Sequence, residues 1–456
     1  MPDNEEKRPF FKSFVAGELS FGFWNILSKT LSLAGSLFIL ANLSLYEFGV
    51  YQLVLAFYGF IGGLLMKILN DVIVNDFIRF RASGEESKAR KLIYEFFFIK
   101  MTLASVLTIC LFFGARVFSG IYDAQVADFF RIVSFLFIAD GLYTLIKMIL
   151  ESERRHNLLA SRHVVYDSLR LLISVFFVYF YSFGIREILY VHLFSSVLAT
   201  AVYVPAVSRI LRTWPRVALE KTSVIWSIIK THGKWTMFSP FVTAIPDNLQ
   251  PWLIKIFIGT EAVSVFNVAL MMADGVKSLV PVNTLSYLVP RVIDDKEQSQ
   301  RIFTYSVKYL FFFGACVAVL SYVCGYILIT FFLPKYSASL IIFAILLIGL
   351  PIRSAGIAVG AFIVALRKQK YLFYQTMAKT AFSMIAIVVL LYAFGNVGLA
   401  IESVLTLILV FLLHYFYLKR KKKGLRFEWS LLFEFNEKDR LFFRQAYNLF
   451  LKRAKV

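Results

Sequence analysis

Apolar runs long enough to cross a bilayer recur along this sequence, separated by polar and mostly basic stretches. A hydrocarbon core about 30 Å thick takes about 20 apolar helical residues. On that ruler the chain holds twelve runs. Six lie near 19–42, 46–69, 92–115, 126–150, 164–182 and 187–208, and six near 234–258, 262–289, 302–325, 338–366, 371–394 and 397–418. Between the two sets sits a stretch with Arg209, Arg212, Arg216, Lys221, Lys230 and Lys234, which cannot lie in hydrocarbon. A basic connector between equal sets of spans predicts an all-α integral membrane protein of two six-helix bundles. The expected divisions are an N-terminus 1–18, a first bundle 19–208, a connector 209–233, a second bundle 234–418 and a tail 419–456.

The loops give a direction. One set holds Arg79, Arg81, Lys88, Arg90 and Lys91, then Arg154, Arg155 and Arg162, then the connector. It continues with Arg291, Lys296 and Arg301, then Arg367, Lys368 and Lys370, and ends at Lys419–Lys423. The other set shows only Arg116, Arg186 and Lys335. Lys and Arg collect on the cytoplasmic side, so the first set and both termini are placed there. In the tail Arg440, Arg444, Asn448 and Lys452 recur at helical spacing, with Phe443, Tyr447 and Phe450 on another face. Such a basic amphipathic helix is expected to lie on anionic membrane lipids. The N-terminus carries no cleavable signal pattern, so the first run is expected to stay as a membrane helix.

The halves resemble one another locally. The second run opens with Glu47-Phe48-Gly49-Val50-Tyr51 and the eighth with Glu261-Ala262-Val263-Ser264-Val265-Phe266. Each follows an outer turn and precedes a polar break, at Lys67, Asn70 and Asp71 or at Asp274, Lys277 and Asn283. Both halves start at the cytoplasm, so the repeat is parallel, with a pseudo-two-fold axis along the membrane normal.

Composition agrees: 59% of residues are hydrophobic and 17% charged, too apolar for a soluble globular chain. The net charge of +20 is explained by cytoplasmic loops and needs no nucleic acid. Cys110, Cys316 and Cys324 sit inside apolar runs without ligand spacing, so neither a disulfide framework nor a metal site is expected.

Ionisable residues at membrane depth are costly and mark bundle interiors or wet cavities. Here most are cationic, and Lys29, Lys100, Lys277, Arg353, Lys308 and Lys379 are the candidate substrate-binding residues. Lys147, Lys308 and Lys379 lie near enough the cytoplasm to snorkel instead. A surplus of positive charge in low dielectric predicts an anionic substrate, phosphate or carboxylate. Among the acids, Asp140, Asp247 and Asp274 are candidates for binding a coupling H+ or Na+, and Glu402 lies in the last run. Asp274 and Lys277 are three apart on one helix face and are expected to neutralise each other, as are Asp167 and Arg170. No Walker, HExxH or GxSxG pattern occurs and no loop is long enough for a domain, so the reading is a transporter, not an enzyme, without a cofactor.

At several places the chain resembles the O-antigen and exopolysaccharide flippases of the multidrug/oligosaccharidyl-lipid/polysaccharide exporter superfamily. These are LSLYEFGVYQL at Leu43–Leu53, the basic loop Leu150–Ala160, Pro246-Asp247-Asn248, and Ile258-Gly259-Thr260-Glu261-Ala262-Val263 with Phe266-Asn267-Val268-Ala269. Phe332-Leu333-Pro334-Lys335-Tyr336 and Asn396-Val397-Gly398-Leu399-Ala400 also fit. The loop lacks the usual glycine before its basic residues, and Ser264 and Phe266 stand where the family often has Gly and Tyr. The resemblance implies a MATE-like fold with a central, typically cationic cavity in the cell membrane. It also implies alternating access that carries a polyprenyl-(pyro)phosphate-linked oligosaccharide to the outer leaflet. The chain would act as a monomer, with a polysaccharide polymerase and glycosyltransferases as partners. Three rivals stand: a cation-coupled multidrug exporter, which would need an acidic cavity; a non-transporting partner in a polysaccharide assembly complex; and an exporter of lipid-anchored peptidoglycan precursor.

Overall fold

The computed structural model describes residues 24, 27–63, 70–119, 124–153, 155–214, 222–280, 285, 289, 295–366 and 368–421. Each of the twelve predicted runs overlaps a helix, and no strand occurs among the described residues. In chain order the helices are α1 (27–42), α2 (Leu45–Ile61), α3 (Asn70–Ala82), α4 (Glu86–Ser119), α5 (Ala124–Ser134), α6 (Leu136–Ser152) and α7 (His156–Phe180). Then come α8 (Ile185–Ala201), α9 (Val204–Thr213), α10 (Val224–Phe257), α11 (Thr260–Lys277), α12 (Lys296–Phe332), α13 (Ser339–Ala365) and α14 (Gln369–Lys421). Among the described residues seven helices are long and apolar enough to cross a membrane. The chain is a multi-pass membrane protein. The N-terminus 1–18, connector residues Arg216 and Lys221, and the tail beyond Lys421 lie outside the described residues.

Local chemistry sets the breaks. The turn before α2 is a capping box: Ser44 Oγ accepts the Glu47 N–H at 3.2 Å, and the Glu47 carboxylate accepts the Ser44 N–H at 2.9 Å. Glu47 of the repeated motif is therefore first a helix cap. Within α14, Gly395 adopts φ +59° and ψ −142°, a conformation open to glycine, and bends the helix into two legs. That bend falls between the runs predicted at 371–394 and 397–418.

Two compact units emerge. The first comprises the described residues to Val268, with Leu328–Ser339 and Met384–Asn396; the second holds the remainder. In the first, one core joins Phe77, Leu92, Phe96, Ile149, Val207, Trp214 and Ile228, drawn from α3, α4, α6, α9, α10 and the turn after α9. A clasp closes this core on the side of the basic loops. Arg81 Nη2 donates to Glu153 at 2.6 Å, its guanidinium lies 4.5 Å from the Trp214 ring centroid, and Trp214 Nε1 donates to Glu153 at 3.1 Å. On the far side of the connector, Glu95 of α4 accepts the Ile225 N–H at 3.0 Å and so satisfies a free donor at the start of α10. The connector is thus anchored at both ends to the first unit. Trp214→Phe keeps most of the ring burial and removes one hydrogen bond to a charged group, so stability should fall by about 1.5 kcal/mol, read as a lowered Tm in detergent.

In the second unit Phe303, Val307, Ala358, Phe362, Phe411 and Leu418 bring α12, α13 and α14 together. Membrane helices meet closely where small residues line the contact. Gly314 of α12 does this here: a methyl group added to it would reach 3.0 Å from the Leu350 carbonyl of α13.

Candidate functional site

Polar residues in the first unit form a connected interior. Ser28, Ser32 and Ser36 recur every four residues on α1 and so share a face. Ser28 Oγ donates to Asp167 Oδ2 of α7 at 2.6 Å, with Ser32 beside the same carboxylate, and Arg170 Nη2 reaches Ser36 Oγ at 3.4 Å. Asp167 and Arg170 were expected to neutralise one another; they form no direct ion pair, and each is directed to a different serine of α1, while the Arg170 charge still acts on the Asp167 carboxylate. Interhelical hydroxyls have displaced the local contact.

Arg162, one turn before Tyr166 on α7, is buried at 7% exposure. Its guanidinium lies 3.7 Å from the Tyr143 ring centroid on α6 and 5.5 Å from that of Tyr166. Its Nε has no hydrogen-bond partner, and Arg162 forms no ion pair among the described residues. An aromatic face offers a desolvated cation about 2 kcal/mol. Removing the ion from water costs several kcal/mol. The deficit makes Arg162 a ready seat for an anion.

Two further contacts complete the interior. The Tyr58 hydroxyl of α2 donates to Asp140 Oδ2 on α6, and the Tyr166 hydroxyl meets His192 Nδ1 of α8 at 2.9 Å. Five helices therefore contribute: α1, α2, α6, α7 and α8. Charged groups are held here by hydroxyls and rings, contacts that a ligand or proton can exchange.

The cations named from sequence fall into three groups. Lys100 of α4 and Lys308 of α12, each in the third run of its half, are both buried at 3% exposure, so neither snorkels. Lys100 Nζ lies 5.2 Å from the Phe96 ring centroid. Lys29, Arg353 and Lys379 are exposed. Lys277 donates to Asp274 at 2.7 Å, the expected mutual neutralisation. The Asp247 side chain lies outside the described residues, although its backbone is part of α10. Among the described residues no His, Cys, Asp and Glu group is arranged to hold a metal ion.

Sequence reasoning missed Arg162 as a site residue by counting it with the loop cations. The signal was present, because Arg162, Tyr166 and Arg170 repeat every four residues opposite the similarly spaced serines. Glu402, in the second unit, was also left out of the site. It is buried at 4% exposure and its Oε1 accepts from Ser383 and Thr406, each at 2.7 Å.

Comparison with known proteins places this geometry. A protein family described as polysaccharide biosynthesis protein matches residues 39–339, about two-thirds of the chain. No curated protein matches the sequence significantly. The lipid II flippase MurJ, in an inward closed conformation, superposes with a TM-score of 0.70 at 14% identity, covering 89% of this chain and 87% of that one. A multidrug resistance MATE family transporter of the MOP superfamily, facing inward, gives 0.68 at 14% identity over 88% of this chain and 99% of that one. The Vibrio cholerae MATE transporter VcmN in its bent form gives 0.59 at 14% identity, with 91% and 100% covered. At such identity the likeness establishes the fold, which is MATE- and MurJ-like.

Proposed function

The chain belongs to the polysaccharide biosynthesis protein family, and from that premise we propose that it is a flippase for polyprenyl-(pyro)phosphate-linked oligosaccharide. Twelve spans in two bundles, 19–208 and 234–418, with both termini cytoplasmic, would carry the headgroup to the outer leaflet while the prenyl tail stays in lipid. The observation that carries this reading is Arg162, a buried guanidinium that forms no ion pair among the described residues and whose Nε has no hydrogen-bond partner. A phosphate offers two oxygens at once to the planar fork of a guanidinium. Tyr143 and Tyr166 would hold the guanidinium in place for the phosphate. Lys29, Lys100, Lys308, Arg353 and Lys379 add positive potential along the route.

Of the acids, Asp140 is the best coupling residue, since Asp274 is already engaged by Lys277. A proton on Asp140 would remove a charge from the interior as the substrate's negative charge enters, and its release would reverse the effect. Polymerase and glycosyltransferase partners would meet the protein at its cytoplasmic face, beside a basic tail whose sequence suits anionic lipids.

The test is the leaflet distribution of lipid-linked glycans in cells lacking the protein, sorted by an impermeant sugar label. Complete repeat units should accumulate on the cytoplasmic leaflet, and their mass identifies the substrate. A normal glycan profile together with raised dye retention would instead establish a multidrug exporter. Build-up of the peptidoglycan precursor alone would reassign the cargo.

A further inference from the structure

Arg162 and Asp167 are a buried cation and a buried carboxylate on the same helix, α7, yet they form no ion pair. The charge of one acts on the other, and opposite charges in low dielectric attract strongly. A guanidinium also forks readily onto a carboxylate. Something must hold the two apart. On the acid's side it is α1, whose Ser28 and Ser32 hydroxyls both serve the Asp167 carboxylate. On the arginine's side it is the rings of Tyr143 and Tyr166. At about 3.6 residues per turn, Tyr166 lies about 40° round α7 from Arg162, and Asp167 about 100° beyond that. The Tyr166 ring therefore stands on the path that the guanidinium would take to the acid. Its own fixture is on α8: the hydroxyl meets His192 Nδ1 at 2.9 Å, and the two rings stand edge to face with centroids 5.8 Å apart. A tyrosine ring turns only about its side-chain torsions, so a bond at its tip holds the whole ring.

We propose that His192 is a positioning residue: by pinning Tyr166 it keeps the Arg162 guanidinium from collapsing onto Asp167, and so leaves that cation open to the cargo's phosphate. The inference rests on Arg162 as the anion seat, and His192 itself touches no cargo. An arginine that must stay unpaired beside a buried acid needs such a device, because the internal ion pair would close the seat before any anion arrived. All the parts lie in the first unit, on α1, α6, α7 and α8.

The test is a suppression experiment on the full chain, read as outer-leaflet glycan labelling. His192→Leu removes the pin and keeps apolar bulk, so flux should fall about fivefold, the effect of one lost hydrogen bond. Tyr166→Phe removes the same bond from its other end and keeps the ring. It should give the same fall, and the two changes together should cost no more than either alone. His192→Gln, which still offers the Tyr166 hydroxyl a polar partner, should recover most of the flux. The deciding arm removes the competing charge. In an Asp167→Asn chain, adding His192→Leu should lower flux by less than about twofold, because nothing is left to capture the guanidinium. A merely structural histidine predicts the full fall in that background too, and that result overturns the proposal. Wild-type flux in both His192→Leu and Tyr166→Phe overturns it as well, and if Arg162→Met lowers flux the anion seat itself survives. Wild-type flux in Arg162→Met instead removes the seat and the positioning role together.

Discussion

Arg162→Met should lower glycan flux between about tenfold and about a hundredfold while the protein still folds and inserts. The size follows from losing charge-assisted hydrogen bonds to phosphate, about 1.5–3 kcal/mol, at about 1.4 kcal/mol per factor of ten. Methionine fills much of the arginine's volume against Tyr143 and carries no charge. Replacing a buried, uncompensated charge by an apolar side chain is often neutral or stabilising. The Tm should therefore hold or rise as transport falls. A purely structural arginine predicts the reverse, with lowered Tm and flux retained in the protein that folds. Arg162→Lys should recover only part of the flux, because an ammonium neither stacks flat on Tyr143 nor forks onto a phosphate. The measurement pairs outer-leaflet glycan labelling with thermal unfolding in detergent. Wild-type flux in Arg162→Met would remove this residue from the substrate path.

Why Arg162 escaped the sequence reading shows where such reading ends. The bilayer imposes a length on every span and demands that backbone groups pair internally, so helices are legible from apolar runs alone. The bend at Gly395 and the cap at Ser44 are equally local, and both lie where the runs break. Side-chain partners are another matter. Asp274 and Lys277 pair within one helix, as their spacing says. Asp167 and Arg170 have the same spacing and do not pair, because α1 brings serines to both from 139 and 134 residues away. Arg162 was counted with the loop cations Arg154 and Arg155, but α7 begins at His156, so the arginine lies well inside the helix and its neighbours are rings. Lys100 and Lys308 were placed within apolar runs by the sequence, yet only the packing shows that both are enclosed. Depth follows from counting along the chain; enclosure depends on which helices arrive alongside.

The second large effect separates charge from architecture at Asp140. Tyr58 and Asp140 join α2 to α6 by one hydrogen bond. Asp140→Asn keeps an acceptor for the Tyr58 hydroxyl but fixes the site in its neutral form, as if permanently protonated. Tyr58→Phe does the opposite, leaving the carboxylate and removing the bond. If Asp140 carries the coupling proton, Asp140→Asn should lower flux at least about tenfold and abolish its response to an imposed pH gradient. Tyr58→Phe should then stay within about fivefold of the native rate and keep the gradient response, since the loss of one hydrogen bond is about 1 kcal/mol. A structural tether predicts the inverse ranking, with Tyr58→Phe the more damaging. Flux to the outer leaflet of right-side-out vesicles, measured with and without a pH gradient for both variants, distinguishes the two. Gradient response surviving in Asp140→Asn would move the coupling role away from Asp140, and Glu402, cradled by Ser383 and Thr406, would be the next acid to neutralise.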